Sequence, residues 1–394
     1  MDRRLVERLA TTTDHLVGFP TVENNPDALQ HCVDWTRAHA LKHAPRLHIK
    51  QFASNNKPSI LFTAGEAPPR VLFFGHLDVV EAVHQSAFKT SQQDSVRLKG
   101  RGTADMKGPI AAMLDVMEHE PQTGLGLLLT TDEEIGGQDG IGHVLQTIDW
   151  RPEVVILPDG GANMHLVVEQ KGMLRLRLEA EGIAAHGSRP WKGDNAIERI
   201  FKGYQKLLRA YPMPQAEEDW RVSITLSELH GGMVPNSVPW KAEATLDVRY
   251  PQSDTLTDDV LLADMQRRLK PLGVSVCAVK RAPAFKLDET SGLVQRMQEV
   301  SQIVRQQPIQ TVREAGASDA HYFAEEDVPV LMFQPECGEW HGADEWVNLE
   351  SLATFRTMCT TFAKSYLSRD RGTRSTSRLT TTTQNEVRQQ RIAK

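Results

Sequence analysis

Two imidazoles and a set of carboxylates stand just past apolar runs along this 394-residue chain. The run Val71–Phe74 ends in Gly75-His76-Leu77-Asp78, and Leu125–Thr131 ends in Asp132-Glu133-Glu134. Val154–Leu157 ends in Pro158-Asp159-Gly160-Gly161, and Val328–Phe333 leads through Gln334–Trp340 to His341. A fifth segment, Gly102-Thr103-Ala104-Asp105-Met106-Lys107-Gly108, precedes an apolar helical pattern. Imidazoles and carboxylates suit zinc or another first-row divalent ion, and two such ions need a shared anionic bridge. In the spacing His76-x-Asp78, the carboxylate can reach the second ring nitrogen, fix the tautomer and strengthen the ligand. Neighbouring Glu133 and Glu134 point apart, so one can bind metal while the other faces the metal's water as general base. A bound metal lowers the pKa of that water to about 7, which suits amide hydrolysis near neutral pH.

These groups need a scaffold that gathers them. In an open α/β sheet, ligands bind beyond the carboxyl ends of the strands. Residues 1–18 and 26–44 carry helical apolar spacing, and Leu47–Phe52 and Ser59–Thr63 read as strands. Pro109–Glu118 reads as a buried helix, and the runs ending at Thr131 and Leu157 as central strands of a largely parallel sheet. Near Lys171 the pattern changes. Met173–Glu179 alternates as a strand, Asn195–Tyr211 is helical, and Val222–Leu229 and Ala242–Tyr250 are strands. Thr255–Leu269 is helical and Val274–Val279 a strand, completing the β-α-β-β-α-β order of a ferredoxin-like unit. The expected organisation is a first catalytic part at 1–170, an inserted unit at 171–285 and a second catalytic part at 286–368. A polar, basic tail at 369–394 is expected to be disordered. Taken singly, each candidate ligand would be an ordinary solvated or helix-capping side chain. Their joint placement after strands of one sheet carries the chemical reading.

Composition narrows the classes. The net charge of −6 includes seven basic and two acidic residues from Arg369 onward, which leaves −11 for the rest. An acidic body lacks the surface Lys and Arg that phosphate contacts need, so no nucleic-acid partner is expected. The opening Met-Asp-Arg-Arg-Leu-Val-Glu-Arg has no apolar core of signal-peptide length, and no apolar run spans a membrane. The expectation is a cytoplasmic protein with no membrane partner. Cys32, Cys277, Cys337 and Cys359 contain no C-x-x-C pair, which argues against a disulfide framework and a thiolate zinc site. A serine or cysteine hydrolase is disfavoured, because the chain lacks a G-x-S-x-G elbow.

The segments GHLDVV, GRGTADMKG, TDEEIGG, PDGG and WHGADEW together resemble the M20 metallopeptidases, in family order and from about residue 5 to 365. That group includes carboxypeptidases, dipeptidases, aminoacylases, acetylornithine deacetylase and succinyl-diaminopimelate desuccinylase. The resemblance implies an α/β fold with a mostly parallel mixed sheet and helices on both faces (zinc-exopeptidase-like), plus an inserted ferredoxin-like α+β lid domain. It also implies two divalent ions per chain, zinc by preference, with cobalt or manganese as substitutes. His76 and Asp159 would hold one ion, Glu134 and His341 the other, and Asp105 would bridge them. Glu133 would be the general base and Asp78 would orient His76. His186, in Ala185–Pro190, would stabilise the tetrahedral oxyanion, from a partner subunit in one reading. Asn236 and Arg249 resemble lid residues that hold the substrate's backbone or carboxylate, and a fixed Arg fork suits a carboxylate. Ser318, in Gly316–Asp319, matches a loop lining the substrate pocket. The resemblance further implies a homodimer through the inserted domain. The other histidines are expected to be surface or packing residues, with His84 and His321, which lie close to candidate loops, as the exceptions.

One position departs from the deacylase pattern. Asp159 stands where many deacylases and carboxypeptidases of the family have Glu, which looks more like the dipeptidase and aminopeptidase branches. The leading expectation is therefore a dinuclear hydrolase of dipeptides or short peptides bearing a free carboxylate. An N-acyl-amino-acid deacylase of the same fold is the close alternative, and a non-catalytic binding relative is the remote one.

Overall fold

The computed structural model describes residues 2–368, apart from 93, 95, 217, 252 and 254; the 369–394 tail expectation lies outside them. A nine-stranded sheet forms the centre of the larger unit. Its order is His48–Ser54, Lys57–Thr63, Leu125–Thr130, Val71–His76, Val154–Leu157, Val330–Met332, Leu166–Gln170 and Phe285–Lys286, with Thr311–Glu314 also pairing to Leu166–Gln170. The four middle strands, from Leu125–Thr130 to Val330–Met332, run parallel. The flanking pairs on either side are antiparallel, except that Thr311–Glu314 runs parallel to Leu166–Gln170. Every residue of Val71–His76, Leu125–Thr130 and Val154–Leu157 is buried. Successive side chains point to opposite faces, so both faces of these strands are covered, and that is why they read as unbroken apolar runs.

Helices provide the cover. Arg3–Val17, Lys107–His119 and Leu349–Ser368 pack on one another, and Pro26–His43 packs on Lys57–Thr63. Asn25 caps the helix Pro26–His43, accepting from the Ala28 amide, with Pro26 in the first turn where its missing N–H costs nothing. The helix Lys107–His119 starts beside Asp105 and is buried through its first eleven residues. Its Lys107 ammonium is enclosed and donates to the Phe19 carbonyl at 2.7 Å, which ties the start of this helix to the N-terminal helix's exit.

A second, antiparallel sheet takes its strands from Gly172–Glu181, Ser223–Gly231, Lys241–Tyr250 and Val274–Ala282, in the order second, third, first, fourth. With helices Ala196–Ala210 and Asp258–Leu269 it forms the β-α-β-β-α-β unit read from the sequence. It has its own core, including Leu174, Leu176, Leu178, Ile200, Leu246 and Met265. Arg175, Arg177 and Glu179 alternate with these leucines on the opposite face. A third, small sheet of Cys337–Gly338, Trp346–Asn348, Arg97–Lys99 and Ser91–Gln92 was not anticipated. It fastens the segment leading to Asp105 against the segment carrying His341. All four cysteines are free.

Candidate metal centre

His76 ends its strand beside Thr130, and the loops after Thr130, Leu157 and Met332 leave the sheet on the same edge. Parallel neighbours therefore deliver His76, Glu133-Glu134, Asp159 and the His341 segment to one rim. The His76 ring is held at both nitrogens. Nδ1 faces the Asp78 carbonyl oxygen at 3.0 Å, and Nε2 faces Asp105 Oδ1 at 3.1 Å. The Asp78 carboxylate does not make the nearer contact expected of it. Its Oδ1 lies 3.6 Å from Nδ1, while its Oδ2 accepts the Glu134 amide at 3.0 Å. Asp78 thus orients His76 mainly through its backbone and fixes the Glu134 turn through its side chain.

On the other side of Asp105, Oδ2 faces His341 Nε2 at 3.1 Å, and Glu134 Oε2 lies 3.5 Å from the same nitrogen. Two ligand groups result: His76, Asp105 and Asp159, and Asp105, Glu134 and His341, with the ligand atoms of each within 4.8 Å of one another. Asp105 belongs to both. Glu133 belongs to neither, yet lines the same cavity. His341 has a φ of +60°, a left-handed conformation unfavourable for a residue with a Cβ, and its side chain is 55% exposed. It is the most open of the candidate ligands.

Packing behind the ligands is specific. Buried Glu345 accepts the amides of Ala104 and Asp105 at 3.0 and 3.1 Å and the Arg101 Nη1 at 2.7 Å. Arg101 in turn donates to the His341 carbonyl at 2.9 Å. One ion pair therefore positions both Asp105 and His341. Asp159 sits in a loop braced by Glu314, which accepts the Gly161 amide at 2.7 Å. Gly160 has a φ of +139°, and a Cβ there would collide with the Glu314 carboxylate, so the close approach requires glycine.

The electrostatics show how crowded the anions are. Burial and the Asp159 charge push Glu133 well above the usual carboxylate range. Burial and the neighbouring Asp105 raise Asp159 to about 8. His341 rises to about 10 through its hydrogen bonds to Asp105 and Glu134. Burial disfavours the charged form of His76, but Asp105 and Asp78 outweigh it and raise this imidazole too. A cluster that draws protons so strongly is one that a cation stabilises, and carboxylate with imidazole is a donor set suited to first-row divalent ions.

The cavity, about 270 Å³, lies between the two units. Asp105, Glu133, Glu134, Asp159, Ser318, Asp319, His321 and His341 line it from the larger unit. Met173, Arg175, Arg249 and Lys280 line it from the inserted sheet. Arg249 is held by Asp247, with Nε to Oδ1 at 2.7 Å and Nη2 to Oδ2 at 3.2 Å. Ser318 donates to Gln170 at 2.8 Å and accepts from the Ala320 amide, so its hydroxyl is engaged in the loop's own structure. Of the two histidines set apart earlier, His321 lines the cavity and His84 does not. His186 and Asn236 are exposed and absent from the cavity wall; they meet on the inserted unit, where the Gly187 amide donates to the Asn236 carbonyl at 2.6 Å. Sequence reasoning missed Arg175, Lys280, Glu314 and the Arg101–Glu345 pair. The alternation of Met173–Glu179 could have signalled Arg175, because it places that residue on the face away from the unit's own core.

Residues 72–365 match the model of peptidase family M20/M25/M40. The chain belongs to this family. Among curated relatives, a probable carboxypeptidase of Aspergillus fumigatus is 31% identical over 201 residues, covering 46% of this chain and 45% of that protein. A probable carboxypeptidase of Neosartorya fischeri is 30% identical over 224 residues, covering 52% and 50%. The matched part of this M20 member thus spans about half the length of those relatives. Among solved structures, the M20 family metallo-carboxypeptidase Sso-CP2 from Sulfolobus solfataricus superposes with a TM-score of 0.74 at 15% identity, over 93% of this chain and 99% of that one. A tripeptidase from Staphylococcus aureus superposes with a TM-score of 0.73 at 18% identity, over 91% and 98%. These likenesses show the M20 fold across nearly the whole described chain. Among the described residues, no helix is long and apolar enough to cross a membrane.

Proposed function

We propose that the protein is a dinuclear metal-dependent hydrolase that cleaves the amide bond of dipeptides or short peptides bearing a free carboxylate. One observation carries the reading: two three-residue ligand groups share Asp105, and Glu133, which belongs to neither, lines the same cavity. His76 and Asp159 would hold one ion, Glu134 and His341 the other, and Asp105 both. Zinc fits this set best, with cobalt or manganese as substitutes. When bound, the ions supply Lewis-acid polarisation of the scissile carbonyl and a more acidic water.

The chain's own residues do the rest. The Glu133 carboxylate, half-buried in the cavity wall, accepts a proton from the attacking water and returns it to the leaving nitrogen. Arg249, held rigid by Asp247, offers its remaining donors to the substrate carboxylate. Ser318 shapes the wall through its loop. Closing the two units around the substrate would exclude water from the reacting groups.

His186 and Asn236 serve this reading from a second copy of the chain. Exposed Met233, Val234 and Trp240, which line one cavity, and exposed Ile183 and Trp191 on the same inserted unit support a homodimer through that unit, because clustered exposed apolar side chains favour an interface. Light scattering that gives a monomer mass at working concentration would remove this part. The substrate reading is tested with metal-loaded enzyme against dipeptides, N-acetyl amino acids and N-succinyl amino acids. Turnover of dipeptides is expected. Turnover of the acyl compounds alone would assign the deacylase alternative.

A further inference from the structure

The inserted sheet presents more positive charge to the cavity than one substrate carboxylate requires. Arg175, Arg249 and Lys280 all line the same wall. Their placement follows from the register: Arg175 stands opposite Asp247 on one neighbouring strand and opposite Lys280 on the other. Arg249 stands opposite Met173, two residues along from Arg175 and on the same face. Diagonal neighbours of this kind are within reach of long side chains.

Asp247 is the acidic partner of these groups within the sheet, and it is committed to Arg249 at 2.7 and 3.2 Å. Arg175 approaches the same carboxylate only to 3.9 Å, and its side chain is 46% exposed. Lys280 donates to the Ile135 carbonyl at 2.8 Å, a neutral acceptor. That bond sets the ammonium against the turn after Glu134, where a Cβ on Gly136 would collide with it. Burial first, and then the charge of Arg175, depress the Lys280 pKa; Glu133 and Asp319 pull the other way, and Arg249 adds to the depression. Within the sheet, these three cations face a single carboxylate, Asp247. On the opposite wall, Glu133 and Asp319 oppose part of the Lys280 charge, while Asp105, Glu134 and Asp159 are those assigned above to the metal ions.

We infer that Arg175 and Lys280 form a second carboxylate subsite beside Arg249, and that the preferred substrate ends in aspartate or glutamate. A C-terminal acidic residue carries two carboxylates a few bonds apart. One would lie on Arg249, and the other on Arg175 with Lys280. The subsite rests on the peptide-hydrolase reading for its orientation, with Arg249 taking the terminal carboxylate.

The test is a binding measurement, which does not depend on turnover. Calorimetry on metal-loaded Glu133→Gln enzyme compares alanylglutamate, alanylleucine and N-succinyl-leucine. Hydrogen bonds to charged groups contribute about 1.5–3 kcal/mol, so alanylglutamate should bind at least about tenfold more tightly than alanylleucine. Adding Arg175→Gln or Lys280→Gln should collapse that ratio toward one. Equal binding of the two dipeptides, or an unchanged ratio in both double variants, overturns the inference. A preference for N-succinyl-leucine over both dipeptides also overturns it, by moving the acidic group to the acyl side. If the parent enzyme hydrolyses neither dipeptide while the binding ratio holds, the proposed reaction fails and the subsite stands.

Discussion

Replacing Glu345 with glutamine removes one buried negative charge and leaves the side-chain shape almost unchanged. Glu345 is 1% exposed and its partner Arg101 is 5% exposed, so water cannot take the place of the lost interaction. Two backbone amides and one guanidinium nitrogen donate to this carboxylate. Bonds to a charged acceptor contribute about 1.5–3 kcal/mol and neutral ones about 0.5–1.5 kcal/mol, so each amide bond weakens by about 1 kcal/mol. The glutamine presents one oxygen where two were used, which deprives either Arg101 or the amides of an acceptor. Breaking a buried pair from one side costs about 3–5 kcal/mol, a large share of a usual stability of about 5–15 kcal/mol. Because the same groups hold Asp105 and the His341 carbonyl, metal affinity should fall about 10- to 100-fold, as for other outer partners of metal ligands. Urea unfolding of metal-free protein and metal titration of activity, on one preparation, separate the two effects. The double variant Arg101→Met/Glu345→Met should recover stability without recovering metal affinity. Wild-type affinity in Glu345→Gln would refute the positioning argument, and wild-type unfolding would refute the energetic one.

Other consequences are equally open to measurement. Glu133→Gln should lower kcat by about 10²- to 10⁴-fold while metal content stays at the wild-type level, and near-normal turnover would contradict its role as base. Arg249→Ala should raise KM for peptides with a free carboxylate and leave kcat nearly unchanged, whereas an equal effect on amidated peptides would argue against a carboxylate contact. Glu118, whose side chain is 4% exposed and 3.3 Å from His39, is raised to about 8 by burial and by Asp115. The folded state holds its proton more tightly than the unfolded chain, so Glu118 costs no stability below about pH 4.5. The cost grows as pH rises toward 8. Glu118→Gln should therefore match wild type in urea midpoint at pH 5 and exceed it at pH 8.5; a constant difference across that range would dismiss the shift.

How much was legible depended on whether a residue's surroundings were periodic. Val71–Phe74 and Val154–Leu157 were readable because strands buried on both faces leave an unbroken apolar run. The polar groups that follow them could be placed at a common rim without coordinates. The inserted unit was readable for the complementary reason: Leu174, Leu176 and Leu178 alternate with charged residues, and its helices keep a helical period. The small sheet through Trp346–Asn348 escaped notice because strands of two or three residues have no period to detect. The Arg101–Glu345 pair joins positions 244 residues apart, and nothing local marks either partner. Arg175 and Lys280 look like the solvated side of an amphipathic strand, and only the packing of one unit on the other turns that side into a cavity wall. The position of His186 away from the ligands follows from the inserted unit's fold, which no local motif reveals.

The most direct test of the account is the metal content of purified, metal-reconstituted protein, compared with Asp105→Ala and His341→Ala. If Asp105 joins two ion sites, wild type holds two ions per chain, His341→Ala retains one and Asp105→Ala loses tight binding of both. Two tightly held ions in Asp105→Ala, or none in wild type, would contradict it.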